Sequence, residues 1–398
     1  MQSIRTFGAL YQGWFLPGER LDLEVCFVGD DAHPPWNHAG SILTRRLIEC
    51  LSPSVNCTLI TTQIPEEARC LKPSWTTLAI SPSGTSSVNA IKLGILASQD
   101  SHDIIHVVGA SAMIFSPVYK LLGAHGAIVR QIFTPHDRND GLVRPLRRFV
   151  NNLFVGAYAF TSPWNDPWER DLGHGIRKFL LRPPIDCELY RTSNAHRNDA
   201  SPSSSHAYTV LYIGPLWPSR FPARNVLGAV RLLLKKGFDV GLNILTSTRS
   251  SVWLGEQVLA LAKRLGVDGN VVLERKDLPE SERVAAYNSA DVVIFPYVGP
   301  EPEQLADPPF AILETMACGR VAISTAVLSV PEIVKDGING FLIESASPDH
   351  ICNGVIRALT SPDKNDVGIR ARDSILKHFS YPVVRPSLLE AYETLMEG

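Results

Sequence analysis

The stretch DPPFAILETMACG, residues 307 through 319, decides how the chain is read. It starts with a proline pair, runs into a short apolar helix carrying one carboxylate, Glu314, and closes on Cys-Gly. Asp and Glu are almost never fully buried unless paired, so Glu314 needs either a structural partner or a ligand. Pro308 and Pro309 suit a helix start, where the missing N–H groups would have no intrahelical acceptor anyway. The stretch follows the apolar run DVVIFP, 291 through 296, by the loop YVGPEPEQLADPP, so Phe310 starts a helix beyond the carboxyl end of a buried strand. Free N–H groups of its first turn, with the helix dipole, make a site for an anion or a hydroxyl-rich group. Glu314 lies one turn further in, on the side of Phe310. There it can accept two hydrogen bonds from a vicinal diol such as a ribose, or serve as a capping or salt-bridging Glu at a domain edge.

Outward from this point the chain alternates. LEVCFV (23 through 28), CTLITT (57 through 62), DIIHVV (103 through 108), AIVRQIF (127 through 133) and AYAFTS (157 through 162) are short apolar runs, separated in places by helical stretches such as AGSILTRRLIECL (39 through 51) and SPVYKLLGAH (116 through 125). Strands apolar on both faces and separated by helices indicate a parallel sheet covered on both sides. TSNAHRNDASPSSSH, 192 through 206, is polar and Ser-rich and reads as an exposed connection. After it the alternation restarts with YTVLYI (208 through 213), GLNIL (241 through 245), VVL (271 through 273) and DVVIFP. The expected organisation is two α/β domains, 1–191 and 207–379, joined by 192–206, with the helix over 380–398 packing back on the first. Ligands of such sheets bind beyond the carboxyl ends of the strands.

A formal net charge of -2 over 398 residues gives no global field for a polyanion, so nucleic acid is not expected as a partner. The seven cysteines (Cys26, Cys50, Cys57, Cys70, Cys187, Cys318, Cys352) are scattered without a C-x-x-C pair and read as reduced thiols. The N-terminal stretch shows no signal-peptide core. No run reaches the ~18 apolar residues of a spanning helix, so the cytoplasm is the expected compartment.

The segment DPPFAILETMACGRVAISTAVLSVPEIVKDGINGFLIE, 307 through 344, resembles the signature region of the GT-B glycosyltransferases of family GT4. In that family E-G-F-x-x-x-x-x-E-A-M-A-C-G is followed by P-V-(V/I)-x-(T/S), P-E-I-V and D-G-x-N-G-x-L. Weaker echoes run along the chain: PPWNHAG, DIIHVVG, TPHD, LRPPID, LYIGPLWPSR and the closing helix through AYETL. The resemblance implies two Rossmann-like domains with parallel sheets facing a central cleft. It also implies transfer of a sugar from a nucleotide-diphosphate donor with retention, and no required metal. No D-x-D occurs, and the His33 and His38 spacing in HPPWNH lacks the carboxylate or thiolate a zinc site would need. No cofactor is expected beyond the nucleotide sugar itself.

The chain departs from the family at two points. In GPLWPSR, Pro215 stands directly after Gly214 where the family has Arg, and Arg220 occupies the family's Lys position on the diphosphate. Arg224 and Lys276 are nearby candidates for the missing cation. Eight residues before Glu314 the family's other Glu is replaced by Ala306, so Asp307 and the N–H groups of Phe310, Ala311 and Ile312 are taken as substitute sugar contacts. In the first half His136, at the carboxyl end of AIVRQIF, is read as the contact beside the donor sugar or as a helix cap, with Asp137 as an acceptor contact. His106, inside DIIHVV, is read as structural. Gly40 opens the helix after the first loop and lets a phosphate or acceptor approach closely. RPLRRFVNNLF, 144 through 154, is a basic amphipathic stretch that reads as a solvated face or a contact with an anionic membrane. The expected activity is metal-independent, retaining glycosyl transfer to a sugar, lipid-linked or small-molecule acceptor. The alternatives are a catalytically degenerate GT-B binding or scaffold protein and a sugar-nucleotide epimerase.

Overall fold

The computed structural model describes residues 20–29, 32, 38–62, 75–80, 86–108, 112–132, 154–164, 176–192, 206–299 and 307–397. Two parallel sheets organise them. The first holds β1 (Glu24–Gly29), β2 (Asn56–Thr61), β3 (Thr76–Ala79), β4 (Ile104–Val108), β5 (Ala127–Ile132), β6 (Ala157–Phe160) and β7 (Arg177–Leu180), in the order β3-β2-β1-β4-β5-β6-β7. The second holds β8 (Tyr208–Ile213), β9 (Val240–Thr246), β10 (Val271–Arg275), β11 (Val292–Phe295), β12 (Ala322–Thr325) and β13 (Phe341–Ile343), in the order β10-β9-β8-β11-β12-β13. The direction of strand succession reverses between β1 and β4 in one sheet and between β8 and β11 in the other. The crevice for a ligand opens at such a switch point, beyond the carboxyl ends of the strands.

The long apolar runs became the central strands for a simple reason: with helices on both faces, every side chain of β4 and β11 is buried. Two strands escape the alternation argument. β3 and β7 are four-residue edge strands with part-exposed side chains, TTLA and RKFL, and carry no apolar run to betray them. Around the first sheet pack α1 (Ala39–Leu51), α2 (Ser86–Ala97) and α3 (Ala112–Leu121). The second is flanked by α4 (Ala223–Lys235), α5 (Val252–Leu265), α6 (Glu280–Ser289), α7 (Phe310–Ala317), α8 (Val330–Ile333), α9 (Pro348–Thr360) and α10 (Lys364–His378).

The last helix, α11 (Tyr381–Met396), belongs to the other core. Val384, Leu388, Leu389 and Tyr392 pack with Leu43, Leu47 and Leu51 of α1 and with Val25 and Phe27 of β1. Tyr392 Oη lies 2.7 Å from Nδ1 of the buried His106, whose Nε2 lies 3.2 Å from Gln131 Oε1. Burial pushes the His106 pKa down to about 4. His106 therefore ties β4 to α11. Six of the cysteines are free and buried; Cys70 lies outside the described residues. No helix of the described residues is long and apolar enough to cross a membrane.

Candidate functional site

The carboxyl ends of β8 and β11 carry two of the expected site segments. After β8, Gly214 adopts φ 153°, outside the usual range of L side chains, and a Cβ there would sit 3.0 Å from Tyr212 Oη. That hydroxyl donates to the Pro215 carbonyl at 2.6 Å, so the turn is closed from beneath. Arg220 follows in the same loop, part-exposed, with its guanidinium 5.1 Å from the centre of the Tyr297 ring. After β11 the chain reaches α7, whose N-cap is Pro309 with no side-chain cap. Ile312 N–H, one of the three amides read as sugar contacts, is already bonded to Pro309 O at 3.0 Å. The N–H groups of Phe310 and Ala311 have no acceptor among the described residues and remain the donors of that helix start.

Glu314 is 3% exposed, and the question raised by its burial has a definite answer: it has protein partners. Oε1 accepts from Arg46 Nη2 at 2.5 Å and lies 3.8 Å from Arg283 Nη2, while Oε2 accepts from the Tyr287 hydroxyl at 2.8 Å. Arg46 comes from α1, on the opposite domain. Its guanidinium sits between two rings, 5.1 Å from the centre of Tyr190 and 5.0 Å from that of Phe310. The pair extends into a network. Glu280 Oε1 accepts from the Tyr190 hydroxyl at 3.1 Å and Arg283 Nη2 at 3.1 Å, and Glu280 Oε2 pairs with Arg45 Nη2 at 2.6 Å. Arg45 also holds Glu49 at 2.6 Å, which accepts from Tyr381 at 2.8 Å.

Arg45 and Arg46 of α1 thus face Glu280 and Glu314 of the second domain, with Glu49 and Arg283 completing the network each on its own side. Burial works against each charge here, but the Glu314 carboxylate outweighs it and holds the Arg46 pKa well above its ordinary value. Glu280 is likewise buried, yet Arg46, Arg45 and Arg283 push its pKa down. Buried pairs of this kind add little net stability but are costly to break, because the partner left behind is a buried unpaired charge.

The remaining expected residues fall out as follows. Asp307 Oδ1 accepts a short hydrogen bond from Thr161 Oγ1, beyond the end of β6, so Asp307 also bridges the two domains. Lys276 is exposed and paired with Glu282 at 2.6 Å. Gly40 opens α1 behind a capping box built by His38 and Ser41; an added Cβ would meet only the His38 ring at 3.5 Å, so local packing does not demand glycine there. His136, Asp137, Ala306, His33, the connection over 193–205 and all of 144–154 except Phe154 lie outside the described residues. Among the described residues no group of three or more His, Cys, Asp or Glu side chains is placed to hold a metal ion.

Residues 207–361 match the family model described as "Glycosyl transferases group 1". Among curated proteins, the chain is 25% identical over 260 residues to a D-inositol 3-phosphate glycosyltransferase of Segniliparus rotundus, covering 65% of this chain and 54% of that protein. It is 22% identical over 303 residues to a phosphatidyl-myo-inositol mannosyltransferase of Mycobacterium tuberculosis, covering 74% of each. The chain spans a little over half the length of the inositol phosphate glycosyltransferases it matches. A glycosyltransferase from Rickettsia africae superposes with a TM-score of 0.74 at 13% identity, over 95% of this chain and 99% of that one. The Anabaena protein HepE, solved with UDP and glucose, superposes with a TM-score of 0.71 at 14% identity, over 94% and 100%. The resemblance to GT-B glycosyltransferases read from the signature region therefore holds in sequence and in fold.

Proposed function

We propose that this chain, a GT-B protein whose C-terminal domain carries the group 1 glycosyltransferase match, transfers a sugar from a nucleoside diphosphate donor to an acceptor hydroxyl. The observation that carries the reading is positional. The matched region 207–361 spans both ends of its sheet's switch point, the Gly214–Arg220 loop and the uncapped start of α7. Diphosphate meets Arg220 and the Phe310 and Ala311 N–H groups, and Glu314 takes the ribose once Arg46 has withdrawn from it. Asp307, next to that helix start, approaches the donor sugar. The acceptor lies on the first domain, around Gly40, His136 and Asp137. HepE, with the same fold, binds UDP and glucose, which supports a nucleotide-linked donor.

The chemistry needs no protein nucleophile. The bond from the anomeric carbon to the diphosphate oxygen breaks as the bond to the acceptor oxygen forms on the same face. The acceptor's proton passes to the departing diphosphate. What the protein adds is positioning, and cations and amides aimed at the charge that develops on the leaving group. The test is product analysis: the full chain is incubated with UDP-, GDP- and ADP-linked hexoses and a panel of inositol, sugar and lipid acceptors, with and without excess EDTA. The expected result is an acceptor-dependent glycoside with the donor's anomeric configuration, formed equally with EDTA. Release of an isomerised sugar nucleotide without acceptor, or complete loss of activity on chelation, would contradict the reading.

A further inference from the structure

Arg46 is a buried side chain of the first domain that reaches into the candidate donor site. Its guanidinium fills the slot between Tyr190 and Phe310, and its Nη2 lies 2.5 Å from the oxygen of Glu314 that a diol would have to reach. Arg46 is 1% exposed and Glu314 3%, so no ribose can approach the carboxylate while Arg46 is in place. The slot answers the charge of Arg46 better than its hydrogen-bonding capacity. Nε and Nη1 are buried with no hydrogen-bond partner among the described residues. An arginine held by one fork arm is exchanged more readily than one held bidentately. Glu314 is also not left bare when Arg46 leaves, because Arg283 stays 3.8 Å from Oε1 and Tyr287 stays on Oε2.

We propose that Arg46 competes with the donor's ribose diol for Glu314 and thereby sets the affinity for the donor. The inference rests on the donor reading above. In it, an arginine from the facing domain holds Glu314, and donor binding exchanges that interdomain ion pair for a protein–ligand one. The measured affinity is then the intrinsic affinity reduced to the fraction of molecules in which Arg46 is out of the slot. Donor capture also frees α1 from α7, so occupancy of the nucleotide site is felt by the domain that holds the acceptor.

The experiment is calorimetric titration of UDP, GDP and ADP into the full chain and into Arg46→Gln, Arg46→Lys and Glu314→Gln. The nucleotide that binds is then compared with its dideoxy counterpart, which lacks both ribose hydroxyls. If the Arg46-bound state holds about nine-tenths of the molecules, Arg46→Gln should bind the diol nucleotide about tenfold more tightly than the parent. Arg46→Lys should fall between the two, and the dideoxy nucleotide should bind parent and Arg46→Gln alike. Diol-nucleotide binding that is equal or weaker in the Arg46 variants overturns the competition; should Arg46→Gln fail to fold, the comparison of Arg46→Lys with the parent decides it. A Glu314→Gln chain that binds both nucleotides as the parent does overturns something different, the assignment of Glu314 to the ribose. Absence of nucleoside diphosphate binding in every variant removes the donor reading and the competition together.

Discussion

The two helices that meet at the domain boundary, α1 and α7, carry different kinds of information. α7 belongs to a segment whose order of residues is recognisable on its own: a proline start, a Glu one turn in and a Cys-Gly stop. α1 has no such pattern. Its contribution, Arg46, is defined by geometry, since it crosses into the other domain to reach Glu314. A signature thus marks α7, while the partner of its carboxylate is supplied by the opposite helix. In the reading proposed here the same carboxylate is asked to serve both a nucleotide and Arg46.

The largest effect expected from this contrast is on stability. Arg46→Ala should destabilise the chain by about 3–5 kcal/mol, the range for breaking a buried pair, because the buried Glu314 loses its nearest cation. The double variant Arg46→Met with Glu314→Leu should lose much less, and urea unfolding of the singles and the double would show it as strong coupling. Additive losses would mean the pair does not act as a unit. Next in size is Arg220→Ala, which should weaken nucleoside diphosphate binding by about 1.5–3 kcal/mol, the range for a hydrogen bond to a charged group. Arg220→Lys should recover part of it, and Pro215→Arg should tighten binding if the Gly214 turn can follow; titrations at one ionic strength compare the three. Unchanged affinity in Arg220→Ala removes that loop from the donor site.

A smaller, pH-dependent effect belongs to the core between the first sheet and α11. His106 is neutral in the folded chain with its pKa lowered to about 4, against 6.5 in the unfolded one. Between those values the unfolded chain takes up a proton that the folded chain refuses, so stability falls as the pH drops from 6.5 towards 4. Urea midpoints across that window should flatten in His106→Gln relative to the parent. The smallest change is expected for Lys276→Ala. Its pair with Glu282 is exposed on both sides, and neither melting nor nucleotide affinity should shift measurably if the diphosphate cation is Arg220. A clear loss of affinity would move the missing cation to Lys276.

How much of this was legible in the sequence follows from how strongly each residue's surroundings mark it. Central strands such as IIHVV and VVIF are buried on both faces and show as unbroken apolar runs; the edge strands TTLA and RKFL are not, and do not. The start of α7 was readable because proline and an isolated Glu are unusual in an apolar helix. Of the two readings of Glu314, the salt-bridging one describes its contacts with the protein, and spacing alone could not name the partner, which lies 268 residues away. One signal for Arg46 did exist. Leu43, Arg46, Leu47 and Cys50 stand at i, i+3, i+4 and i+7, so the arginine sits on the buried stripe of an amphipathic helix, where a charge requires a partner. Glu280 and Arg283, an i and i+3 pair on α6, gave only the ordinary pattern of a solvated helix, and their role depends on which domain face α6 meets.

The central claim, that the cleft face of α7 holds a nucleotide through Glu314, is tested most directly by nucleoside diphosphate affinity in Glu314→Gln, measured by calorimetry beside a melting curve of the same sample. The account predicts a folded variant with a lowered melting temperature, since Arg46 loses its counter-charge, and an affinity for the nucleotide at least tenfold weaker than the parent's. A variant that melts lower but binds the nucleotide as the parent does would show Glu314 to be a purely structural partner of Arg46, and would contradict the claim.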